Sequence, residues 1–122
     1  MQVLLRLLTS TEWRMLWTEL KVHVESFVSL ELSVDTPDAD LWRLCQTRQI
    51  VLITGNRNQD GPESLEAVIQ AENTPVSLPV LTIGEPQRIL SSSAYARRVV
   101  EQLMEYLVDI ENLRGTGRLY LP

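Results

Sequence analysis

The stretch Gln49–Thr54, QIVLIT, is a run of strand length without polar alternation. That pattern belongs to a strand buried on both faces of a parallel sheet, and parallel strands need crossovers long enough to hold a helix. The rest of the chain supplies both parts. Trp13, Leu16, Trp17 and Leu20 fall at i, i+3, i+4 and i+7, one face of a helix, and Thr9 with Glu12 fits a capping box at its start. The preceding Met1–Leu8 is a short apolar run, either a strand or an earlier start of that helix. Leu20–Val34 is rich in valine, with alternation in KVHVES and FVSLELSV, and predicts one or two strands. A helix start follows, with Thr36 as cap, Pro37 at the first helical position, Asp38 and Asp40 in the first turn, and Leu41, Leu44 and Cys45 facing inward.

Beyond QIVLIT, ESLEAVIQAEN predicts a helix with Leu65, Val68 and Ile69 inward, and LPVLTIG predicts another strand. Ser91–Asn112 carries the longest apolar stripe, through Tyr95, Val99, Leu103, Tyr106, Leu107 and Ile110, with SSSAY as its cap. Gly115 and Gly117 stop that helix, and RLYLP is a short last strand. Strands alternating with helices imply an α/β fold with a mainly parallel sheet, and 122 residues suit a single domain with one core.

Charge and rare residues narrow the chemistry. Acids outnumber bases, 16 to 11, which disfavours a broad nucleic-acid surface while leaving room for a small acidic metal site acting on RNA. All the cations but Lys21 are arginines, and they are scattered, as surface ion pairs are. Cys45 is the only cysteine and His23 the only histidine, so a thiolate zinc cage or an intrachain disulfide cannot form. No segment approaches the roughly 20 apolar residues of a membrane helix, and the N-terminus lacks the basic region of a signal peptide. The expectation is a soluble protein of the cytoplasm with no membrane partner.

Ligands of a parallel sheet sit outside the carboxyl ends of its strands. Two acid-rich pieces fall near such ends: SVDTPDAD, with Asp35, Asp38 and Asp40, and TGNRNQD, with Asn56, Asn58 and Asp60. Together they offer hard oxygen ligands for Mg²⁺ or Mn²⁺, which could activate water for phosphodiester hydrolysis. Each residue also has a plainer role, the first two acids as helix-dipole partners and Asn58 and Asp60 as turn formers before Gly61 and Pro62. An EF-hand is excluded, because Ala67 stands where its bidentate glutamate belongs. RGTGR follows a helix rather than preceding one, which is wrong for a phosphate loop. No G-x-S-x-G is present, which argues against acyl transfer.

From Asp38 to the end, DADLWRLCQTRQIVLITGNRNQDGPESLEAVIQAENTPVSLPVLTIG, then a long helix and LRGTGRLYLP, resembles small bacterial proteins with a PIN-like domain. Some of those proteins carry an acyl-carrier-protein malonyltransferase label, which the absence of G-x-S-x-G does not support here. The resemblance implies a three-layer α/β/α domain over residues 1–122, with a parallel sheet and an acidic cluster that binds divalent metal to cleave RNA. Its matching positions are Asp38, Asp40 and Asp60 as metal ligands, with Asn56 and Asn58 completing the catalytic set. Two departures stand out. Active PIN-like domains carry an aspartate at the end of a first strand, whereas Met1–Leu8 has no acid, so the usual first strand is expected to be missing. Asparagine also stands at two turn positions where aspartate is usual, and an amide oxygen brings no charge. The resemblance with these departures implies a degenerate site in a self-associating module, a homo-oligomer or a partner-binding protein. The alternative is a Mg²⁺- or Mn²⁺-dependent ribonuclease of the toxin-like type.

Overall fold

The computed structural model describes residues 6–7, 10, 13–55 and 64–122. Their elements run in order as helix α1 (Arg14–Leu20), helix α2 (Asp38–Arg48), strand β1 (Leu52–Thr54), helix α3 (Leu65–Glu72) and strand β2 (Val80–Ile83). Next come the single turn α4 (Arg88–Ser91), helix α5 (Ser93–Val108), the 3₁₀ turn η1 (Ile110–Leu113) and strand β3 (Arg118–Leu121). The sheet has the order β1-β2-β3 and is parallel throughout, with Leu52, Val80 and Arg118 in register.

The pleat sorts the strand residues onto two faces. Leu52 and Val80 pack with Ala39 and Trp42 of α2 and with Leu65, Val68 and Ile69 of α3. Their neighbours Ile53, Leu81, Ile83, Leu119 and Leu121 face the other way, onto Tyr95, Val99 and Leu103 of α5 and onto Trp13, Leu16, Trp17 and Leu20 around α1. Helices therefore cover both faces of the sheet, and each crossover uses a different face. Both crossovers step the same way across the sheet, so they have opposite hands, and one departs from the right-handed rule. The strand order does not reverse among the described residues, so no switch-point crevice forms there.

Every residue of β2 is buried, whereas β1 is half-buried along its length and β3 exposes Tyr120. Burial on both faces, expected for QIVLIT, thus belongs to the middle strand. The cause is position, since β1 lies at an edge of the described sheet.

Most predicted helices stand where the apolar period puts them. The Ser64 hydroxyl accepts the Ala67 N–H at 3.1 Å to cap α3, and the Ser92 hydroxyl accepts the Tyr95 N–H at 3.2 Å to cap α5. The longest helix is shorter than its apolar stripe: it ends at Val108, and Asp109 leads into η1. For α2 the boundary differs from expectation. Pro37 occupies the cap position in an extended conformation, its carbonyl accepting the Leu41 N–H at 3.0 Å. The Thr36 hydroxyl is turned to the Ser33 carbonyl at 2.6 Å instead of capping. The inward face is also rotated, to Ala39, Trp42 and Cys45, with Leu41 and Leu44 only half-buried. Trp42 offers the largest apolar area, and it decides which face turns in.

Leu20–Val34 forms no strand. Its backbone takes left-handed turns at Lys21 and Glu31, and a serine network folds the middle onto itself. The Ser29 hydroxyl donates to the Glu25 carboxylate at 2.6 Å and receives the Ser26 N–H at 2.7 Å. Such local bonds satisfy the backbone in competition with a ladder. Arg6 and Leu7 are helical; the rest of Met1–Leu8 and the Thr9–Glu12 capping pair lie outside the described residues.

Candidate functional site

Helices α2 and α3 pack against each other. From the middle of α2 Arg43 reaches Glu72, the last residue of α3, with Nε at 3.0 Å from both carboxylate oxygens and Nη2 at 2.5 Å from Oε2. One turn further on, the Gln46 amide donates to the Leu78 carbonyl at 2.8 Å and accepts the Leu78 N–H at 2.9 Å. This ties α2 to the approach of β2. A shallow groove of about 280 Å³ runs along the seam, lined by Pro37, Ala39, Asp40 and Arg43 on one side and by Ala67, Val68, Ala71 and Glu72 on the other.

Asp38 and Asp40, both predicted as ligands, sit in the first turn of α2, as the helix dipole favours. Asp40 is exposed, and its Oδ1 lies 3.5 Å from Arg43 Nη1. Arg43 therefore stands between Asp40 and Glu72, and hydrogen bonding from Arg43 holds the Glu72 carboxyl below its usual range. A metal ion at Asp40 would have to displace this guanidinium or share the carboxylate with it, and either weakens cation binding. Asn56, Asn58 and Asp60, the other candidates, lie outside the described residues. Among the described residues no group of three or more His, Cys, Asp or Glu side chains could hold a metal ion. No described helix is long and apolar enough to cross a membrane.

A second groove, of about 450 Å³, opens between α3 and β3. On its floor Arg118, with only 7% of its side chain exposed, donates from Nε to Glu66 Oε2 at 3.0 Å. Its Nη1 donates to the hydroxyl of the fully buried Thr82 at 2.7 Å. This arginine joins α3 to the sheet. At the carboxyl end of the strands, Tyr95 has a comparable role. Its hydroxyl accepts the Glu85 N–H at 2.9 Å and donates to the Pro122 carbonyl, joining the ends of β2 and β3.

The sequence reading of the arginines as scattered surface partners misses Arg118, and the reading of Tyr95 as an apolar stripe residue misses its hydroxyl. Arg118 alternates out of phase with Leu119 and Leu121, so the strand itself gave no signal; only the register with buried Val80 places it on a covered face. An arginine in phase with a buried sheet face needs a carboxylate partner. No family model, curated protein or solved structure matches the chain.

Proposed function

We propose that this chain is a non-catalytic module of the PIN-like, three-layer α/β/α type that acts by self-association. The observation that carries the reading is a concentration of exposed apolar side chains in Val22–Val34. Val22, Val24, Phe27, Val28 and Val34 all lie in that stretch, and Val28 and Val34 are 87% and 78% exposed. Exposed apolar side chains concentrated in this way point to an interaction surface. The Asp40–Arg43–Glu72 chain supports the non-catalytic part, because it commits one predicted ligand to a structural cation. Helices on both faces of a parallel sheet support the PIN-like part. With the usual first strand missing, that part leaves the strand beside β1 to be supplied by a second chain, and an experimentally determined structure of the oligomer with β1 at a bare edge would overturn it.

The functional test has two arms on the purified chain. Light scattering behind size exclusion at micromolar concentration is expected to give a mass above one chain, and Val28→Asp with Val34→Asp to return it to the monomer. A clean wild-type monomer overturns self-association. Incubation with RNA and Mn²⁺, beside Asp40→Ala, is expected to give no cleavage by either protein. Metal-dependent cleavage lost in Asp40→Ala would favour the ribonuclease alternative, with Asp40 in its site.

A further inference from the structure

The charges of this chain are separated along the sequence. Residues 24–42 contain Glu25, Glu31, Asp35, Asp38 and Asp40 and no lysine or arginine, a local charge as large as the −5 of the whole chain. Residues 86–100 contain Arg88, Arg97 and Arg98 and no acid. The structure brings two of those arginines together. The guanidinium groups of Arg88 and Arg98 lie 4.7 and 5.7 Å from the centroid of the same ring, that of buried Tyr95. Arg97 is exposed beside Arg98 on α5. Among the described residues neither Arg97 nor Arg98 forms an ion pair, and Arg88 has only Glu85, at 2.6 Å. Leu90, between Arg88 and the start of α5, is 84% exposed.

We infer that this arginine and leucine surface receives the acidic, valine-bearing segment of a second copy. The inference rests on the self-association reading and names the second half of its interface. Charge complementarity selects the occupant. In the acidic segment Glu31 and Asp35 are exposed and form no ion pair among the described residues, and the exposed Val28 and Val34 alternate with them. The receiving surface repeats that composition with the opposite sign, an exposed leucine among arginines. Guanidinium groups pair with carboxylates bidentately, and the ring beneath Arg88 and Arg98 holds the two groups in place.

The test measures molar mass by sedimentation at low and high salt. Wild type is expected to associate at about 50 mM salt and to dissociate progressively by about 500 mM, where the screening length falls below about 5 Å. Arg97→Glu with Arg98→Glu, both exposed, is expected to weaken association about tenfold, and Glu31→Arg with Asp35→Arg to do the same. Mixing the two variants sets the unchanged acidic segment of one against the unchanged arginines of the other, and the two reversed patches against each other, and is expected to recover the association that each has lost. Circular dichroism and thermal melting, matched to wild type, confirm that each variant folds. Association of wild type that ignores salt and both charge reversals overturns this inference and leaves self-association standing. A wild-type monomer at low salt overturns both. RNA binding lost in Arg97→Glu with Arg98→Glu, while the molar mass stays unchanged, would assign the arginines to phosphates instead.

Discussion

Removal of Arg118 should cost this fold more than loss of a surface ion pair. Its guanidinium is enclosed and serves two acceptors in different directions, Glu66 at 3.0 Å and Thr82 at 2.7 Å. Truncation leaves a mostly buried carboxylate and a buried hydroxyl without their donor. Breaking a buried pair costs about 3–5 kcal/mol, and the 27% exposure of Glu66 brings the expectation for Arg118→Ala to about 2–4 kcal/mol. Arg118→Lys is expected to recover less than half of that loss, since one ammonium cannot span both acceptors as the guanidinium fork does. Urea denaturation of the three proteins measures both numbers. A loss below about 0.5 kcal/mol for Arg118→Ala would show the pair to behave like a surface contact.

Among the elements, Gly117 stands where the chain turns from η1 into β3. Its φ of +83° is in the left-handed region, and a Cβ there would meet Ile69 Cγ2 at 3.1 Å. The backbone term alone costs roughly 1–2 kcal/mol for an L side chain, and Ile69 is packed in the α3 core, so it can yield little. Gly117→Ala is therefore expected to lower stability by about 1–3 kcal/mol, read as a shift in the urea midpoint with an unchanged slope. The sequence already announced this turn, as it announced α3, α5, β2 and β3, because each rests on a local period, a serine cap or a glycine stop. Leu20–Val34 was not legible in the same way. Alternating valines favour a strand only where a partner strand is present, and here Ser26, Ser29 and Glu25 hold the backbone in turns. The inward face of α2 was misjudged for a related reason. Leu41, Leu44 and Trp42 are all apolar, and only the seam with α3 decides between them.

For the whole molecule, the two acids Asp38 and Asp40 were legible at the head of α2, whereas the arginine beside them was not. Arg43 meets Glu72 across 29 residues of chain, a pairing set by helix packing. The two faces of the core interleave along the chain and share one short sheet. Val80 and Leu81 are adjacent in β2 and belong to opposite clusters. Strands of three and four residues do not persist without packing on both sides, so loss of either cluster should release the other. The tryptophans allow this to be read, because Trp42 lies in the α2–α3 cluster while Trp13 and Trp17 pack on the α5 cluster. A Trp13→Phe, Trp17→Phe variant leaves fluorescence from the first face, and Trp42→Phe leaves it from the second. In each variant the fluorescence and far-ultraviolet dichroism transitions in urea are expected to coincide, as one cooperative domain requires. A fluorescence transition displaced from the dichroism transition in either variant would mean that the two faces unfold as separate units, and that the chain is not a single domain.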